Sequence, residues 1–197
     1  MRPRLPSALV VVVAVAAIAA IAHGASWVVD LHRVNWRQVL VPASACGTTK
    51  PVRSGQQVHS GRWPGYARIS VEAGSGGAAY GDLYGDGHDA AAVMVVCANL
   101  GGTAAGQLAF SVVVYRPGRS GPIPVGVLTP QVREHPHSHA PVFDARSVVR
   151  GKVTTSEAIY GPDDPDCCAS GLARTVWHLA GGRLVPASTV ILRRPRP

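Results

Sequence analysis

Hydrophobic positions in this chain form two kinds of run. The first is a single stretch, residues 8–22, that carries no charge and no polar side chain. The second is a series of short runs that begins at residue 67. ARISVEA (67–73) alternates apolar with polar, as a strand with one buried face does. AAAVMVVC (90–97) is apolar throughout, which predicts a strand buried on both faces. QLAFSVVVYR (107–116) is long and β-branched, and IPVGVLT (123–129), KVTTSEAIY (152–160), ARTVWHLA (173–180) and LVPASTVIL (184–192) follow. Gly, Pro and Asp separate these runs at short intervals. LAGGRL sets Gly181-Gly182 between two of them, a hairpin signal. Intervals this short leave no room for crossover helices, so the pairing is expected to be antiparallel. Trp177 and Tyr115 are expected to pack within the strands, and His178 to be structural.

The fold expected is mainly β, with β-rich α+β as its alternative: an antiparallel sheet or sandwich stapled by two disulfides, preceded by an N-terminal hydrophobic helix. Residues 26–42 read either as a short helix capped by Asp30, with Leu31, Val34 and Val39 on one side, or as extended chain. Residues 43–65, rich in Gly, Ser, Thr and Pro, read as a loop. The organisation is then a signal peptide or single-pass anchor (1–24), an N-terminal segment and loop (25–65), a β-rich extracellular domain (66–193) and a basic tail (194–197).

Arg2 and Arg4 precede the first run, and positive charge stays on the cytoplasmic side. A spanning helix needs about 20 apolar residues, whereas the core of a signal peptide has ~7–15. The length favours a signal peptide, with cleavage expected after Ala22 or Gly24; a retained single-pass anchor is the rival reading. No cysteine directly follows the run, which excludes lipid attachment there. Either reading places the rest of the chain outside the cytoplasm.

All four cysteines, Cys46, Cys97, Cys167 and Cys168, lie beyond that run, and an even number in an exported domain implies two disulfides. Adjacent residues in an extended stretch point to opposite faces. Cys167 and Cys168 are therefore expected to bridge to different partners, making YGPDDPDCCASG (160–171) a turn that delivers two sulfurs to the body of the domain. The alternative pairs them with each other and closes a very small ring. Adjacent cysteines lack the spacing of a zinc site, and the C-x-x-C of a redox motif is absent.

The net charge of +8 comes almost wholly from arginine, since Lys50 and Lys152 are the only lysines. These arginines are scattered without interleaved aromatics, which argues against nucleic acid as a partner. Attraction to anionic envelope polymers or lipid head groups is compatible with the charge.

The most suggestive local chemistry is YGDLYGDGHDAAAV (80–93), where Asp82, Asp86 and Asp89 flank Gly85 and Gly87. Calcium loops alternate carboxylates and use glycine for a sharp turn. The stretch resembles the calcium loop of FG-GAP and VCBS-type β-propeller repeats. It departs from that pattern at Tyr84, where a second oxygen ligand would stand, and at Ala90, one residue beyond Asp89. The plainer reading is a tight turn with positive φ at the two glycines. HPHSH (135–139) spaces His135, His137 and His139 for zinc or copper, though Pro136 and Pro141 favour a solvated loop. No nucleophile elbow, zinc-protease motif or P-loop is present, and Ser170 has no assignable histidine partner.

The residues YGDLYGDGHDAAAVMVVCANLGGTAAGQLAFSVVVY, VGVLTPQ, YGPDDPDCCASG and TVWHLAGGRL together resemble a group of exported actinobacterial proteins of uncharacterised function, in the neighbourhood of the LppP/LprE lipoproteins. The Cys-Cys stretch followed by a Trp strand is the most specific part. Those lipoproteins carry a lipidated cysteine near the signal, and this chain does not. The resemblance implies export and a compact disulfide-bearing β-rich domain, and no known activity. The function expected is a non-enzymatic binding or structural domain of the cell envelope, without a cofactor. Its partner would be an envelope polymer, a lipid or a protein, with membrane contact through the N-terminal segment if that is not cleaved. A calcium-dependent binding module and an envelope hydrolase are the alternatives.

Overall fold

The computed structural model describes residues 27–59, 66–72, 78–99, 107–132, 140–165 and 167–195. The apolar run 8–22 and His135, His137 and His139 lie outside the described residues. Among the described residues, no helix is long and apolar enough to cross a membrane.

The chain enters through two single 3-10 turns, Leu31–Arg33 and Trp36–Gln38. Each is capped by the residue before it: Asp30 accepts from the His32 N–H and Asn35 from the Arg37 N–H. Such side chains compete for the local backbone and favour turns over a continuing helix. Asp30 is thus a cap, as one reading expected, but of one turn only. Strand β1 (Leu40–Val41) ends that segment, and the stretch read as loop, 43–65, instead holds helix α1 (Ala43–Cys46), β2 (Val52–Arg53) and β3 (Gln57–His59). β1 and β2 pair with each other.

A six-stranded antiparallel sheet follows, formed by β3, β4 (Tyr66–Glu72), β5 (Ala78–Gly81), β6 (Ala90–Asn99), β7 (Gln107–Pro117) and β8 (Pro122–Leu128). Glu72 pairs with Met94 and Ala78 with Val93, so β4 and β5 lie end to end along one edge of β6. The second sheet is a four-stranded meander of β9 (Phe143–Val149), β10 (Lys152–Ile159), β11 (Gly171–Ala180) and β12 (Arg183–Arg193). Gly181 and Gly182, at φ 56° and 77°, make the tight β11–β12 turn that the sequence signalled.

Strand β6 explains the layering. Ala91, Val93, Val95 and Cys97 point to one face and meet Leu31, Trp36, Val39, Val41 and Ala45 of the N-terminal segment. Ala90, Ala92 and Val96 point to the other and meet Phe143, Ala145, Val148, Val153 and Trp177 of the second sheet. The apolar run is thus buried on both sides, and residues 29–53 form a covering layer rather than a tether. At Gly81 an added Cβ would stand 2.0 Å from the Val148 carbonyl oxygen. The backbones of β5 and β9 touch there, and no larger residue fits. Trp177 is buried as expected and donates its ring N–H to Thr155 Oγ1 at 2.9 Å. Tyr115 is buried too, and its hydroxyl donates to the Leu40 carbonyl at 2.9 Å. His178 faces solvent.

The expectation that Cys167 and Cys168 bridge to different partners is overturned. Cys46 bonds Cys97, and Cys167 bonds Cys168. The reason lies in the local backbone. The Asp164 N–H donates to the Gly161 carbonyl and the Cys168 N–H to the Pro165 carbonyl. The segment is a coiled turn rather than an extended strand, so its neighbouring side chains do not alternate. Cys46 and Cys97 meet instead in the core, where each is at most 1% exposed. Only this bond joins two layers; the other closes within its own turn.

Glu157 is fully buried on β10, and its Oε2 accepts the N–H groups of Gln131 (2.8 Å) and Val132 (3.2 Å). It thereby clips the chain leaving β8 onto the second sheet. Glu157→Ala leaves these donors without that acceptor and is expected to cost about 2–4 kcal/mol, with Glu157→Gln costing less because an amide oxygen still accepts. Replacing Cys46 and Cys97 by alanine is expected to cost about 4 kcal/mol, on the loop-entropy account of a long crosslink. Replacing Cys167 and Cys168 by serine is expected to cost less than about 1 kcal/mol. Urea denaturation of the variants measures each difference.

Candidate functional site

The sequence pointed to Asp82, Asp86 and Asp89, and the structure gives each a different task. Asp82 opens the turn between β5 and β6. Its Oδ1 accepts the N–H groups of Gly85 (2.6 Å) and Asp86 (3.1 Å), and its Oδ2 that of Gly87 (3.0 Å). Gly85 and Gly87 stand at φ 71° and 80°, the left-handed geometry expected of the turn. Asp86 Oδ1 in turn accepts the His88 N–H at 3.0 Å. Arg150, from the β9–β10 turn, lies across Gly85. The Gly151 N–H donates to the Leu83 carbonyl, which ties the two turns together. Backbone donation, led by the Gly87 N–H and aided by the Arg150 charge, holds the Asp82 carboxyl below its ordinary 3.8. Tyr84, at the position where a calcium loop needs an oxygen ligand, packs against the inter-sheet core. Burial pushes its hydroxyl upward.

Asp89 turns away from this loop toward the covering layer. Its Oδ2 lies 3.0 Å from His32 Nε2, a contact across 57 residues of sequence. The His32 ring stacks on Tyr80, with centroids 4.1 Å apart. The Tyr80 hydroxyl accepts the Trp36 ring N–H at 3.0 Å, and Trp36 leans on Tyr115. Hence a surface histidine is held by a chain of rings that begins in the core. The Val29 N–H donates to the Gly118 carbonyl and fixes the adjoining segment to the end of β7.

Together these contacts frame an open cleft of about 390 Å³ between the covering layer and the acidic turn, lined by Trp27, Asp30, His32, His88, Asp89 and Pro117 among others. Trp27 is 89% exposed on its rim. The three aspartates therefore do not converge on one point. Among the described residues, no group of three His, Cys, Asp or Glu side chains is placed to hold a metal ion. Nor does any hydroxyl or thiol among them bond to the His32 ring, which a base-activated nucleophile would need. Sequence reasoning missed His32 and Trp27. The Asp30 cap marked their segment as ordered, but nothing local showed that it would fold against residue 89.

No family model, curated protein or solved structure matches the chain.

Because Asp82 holds its proton less tightly in the folded chain than in the unfolded one, its stabilising contribution is complete above its ordinary value and fades as the pH falls below it. Asp82→Ala is expected to lower Tm by several degrees at neutral pH, and the gap should narrow below about pH 4. Calcium at about 1 mM, the range of extracellular modules, is expected to leave Tm unchanged, since both Asp82 oxygens serve the turn. A rise abolished by Asp82→Ala would instead assign a calcium site to this loop. Thermal melts followed by circular dichroism decide both points.

Proposed function

We propose that this chain is an extracytoplasmic, non-enzymatic binding domain whose cleft takes a hydroxyl-rich polymer of the cell envelope. The observation that carries the reading is the exposed Trp27 indole beside the paired His32 and Asp89. A sugar ring offers an apolar C–H face to an indole and hydroxyl groups to a carboxylate and an imidazole. An open cleft with one aromatic wall and a few fixed polar groups suits such a ligand. The stacked and hydrogen-bonded support beneath His32 keeps the polar groups in place before binding, which lowers the ordering cost.

Location outside the cytoplasm is supported by the cysteines, all of which are paired. Net charge of +8 would draw the domain toward anionic envelope polymers without specifying which one.

Titration of the oxidised protein with soluble oligosaccharides released from a bacterial envelope tests the reading, with tryptophan fluorescence and calorimetry as readouts. Binding is expected to quench or shift Trp27, and Trp27→Ala is expected to weaken it about tenfold. Asp89→Asn should weaken it as well while leaving the melting curve close to that of the parent. Absence of binding, or binding indifferent to both substitutions, would refute the cleft as the site. Release of shortened products would make the protein a hydrolase.

A further inference from the structure

The bond between Cys167 and Cys168 needs a reason that stabilisation does not supply. A crosslink restrains the unfolded chain according to the length of the loop it closes, and this one joins adjacent residues. Cys46–Cys97 is its opposite, closing a separation of 51 residues inside the core. Cys167 and Cys168 are both exposed.

The turn that carries them is held by other contacts. Asp164 Oδ2 accepts the N–H groups of Gly161 (2.6 Å) and Ser170 (2.7 Å) and the Ser170 hydroxyl (2.8 Å). Arg193 Nε donates to the Ser170 carbonyl and ties the turn to the end of β12. A Cβ added at Gly171 would lie 2.9 Å from the Ile159 carbonyl oxygen and from the Pro195 nitrogen. The rim is thus closely fitted by contacts that do not involve the two sulfurs. Cys168 opens onto a cleft of about 530 Å³, whose walls include Asp164, Ser170, Arg193 and Arg194. Cationic side chains beside a cysteine favour the thiolate, which is both the attacking and the leaving species in disulfide exchange.

We propose that Cys167–Cys168 is a redox-active disulfide that exchanges with external dithiols, with the Arg193 and Arg194 guanidiniums as its electrostatic partners. A thiolate of the dithiol enters the cleft and forms a bond to the Cys168 sulfur as the Cys167–Cys168 bond breaks. Cys167 leaves as a thiolate and takes a proton. The second thiol of the reductant loses its proton and attacks its own bound sulfur, and Cys168 departs and is protonated. The dithiol is oxidised to a disulfide by two electrons, and Cys167 and Cys168 are reduced to two thiols. Held side by side in a fixed turn, these can close again without a search of the chain.

The native protein is titrated with dithiothreitol, and the thiols are trapped with iodoacetamide and mapped by mass spectrometry. The expected result is joint alkylation of Cys167 and Cys168 at concentrations that leave Cys46–Cys97 intact, with an unchanged circular dichroism spectrum. Opening of both disulfides together, or of Cys167–Cys168 only as the protein unfolds, would overturn the proposal. Arg194 makes no hydrogen bond or ion pair among the described residues, so Arg194→Gln tests the field alone. Reduction is expected to slow severalfold and to lose part of its salt dependence; an unchanged rate would remove the arginines from the mechanism.

Discussion

Everything in this fold follows from one strand that has no outward face. β6 presents small and β-branched side chains to both sides, and an apolar strand of this kind is stable only when two layers cover it. The meander β9–β12 supplies one layer. The other is not a sheet but a capped, turning segment of residues 29–53 with few backbone bonds of its own. Such a segment brings apolar side chains and little cooperativity, so its attachment depends on packing and on a covalent link. Cys46–Cys97 provides that link at the centre of the contact.

The candidate cleft inherits this dependence. One of its sides, with Trp27 and His32, belongs to the covering layer; the other, with His88 and Asp89, belongs to the turn that leads into β6. The His32–Asp89 contact and the Tyr80–Trp36 bond beneath it join the two. Loosening the covering layer would part the walls without changing any residue that touches a ligand. The core disulfide belongs to the packing that holds the covering layer on β6, whereas the exposed Cys167–Cys168 pair is set in a turn held by Asp164 and Arg193.

The strands legible in advance were those whose pattern is complete within the strand. AAAVMVVC announced burial on both faces, and the Gly181-Gly182 turn announced its hairpin. β5 and β9 were not legible. β5 is four small or aromatic residues, too few to show a period, although its partner is the near end of β6 across the acidic turn. In β9 the register with β10 shifts beside Arg146, which breaks the alternation of Phe143, Ala145 and Val148. β9 is nonetheless the strand whose backbone touches β5, so the contact between the sheets was the hardest part to foresee. The acidic turn was readable as a turn because Asp82, Gly85 and Gly87 act on their own neighbours. The task of Asp89 was hidden because its partner, His32, is distant in sequence.

By itself the sequence determined the β-rich class, the antiparallel pairing, the doubly buried strand and the glycine turns. These rest on side-chain period and on backbone freedom, which act over a few residues. Only the tertiary structure decided which cysteines meet, that residues 29–53 are a layer, and that Trp27, His32 and Asp89 share a cleft. Those depend on which surfaces pack together, and packing joins residues that no local rule connects. The cysteine pairing shows the boundary most clearly: alternation along a strand would have sent Cys167 and Cys168 apart, but the Asp164-anchored turn brings them together and leaves Cys46 to meet Cys97 in the core.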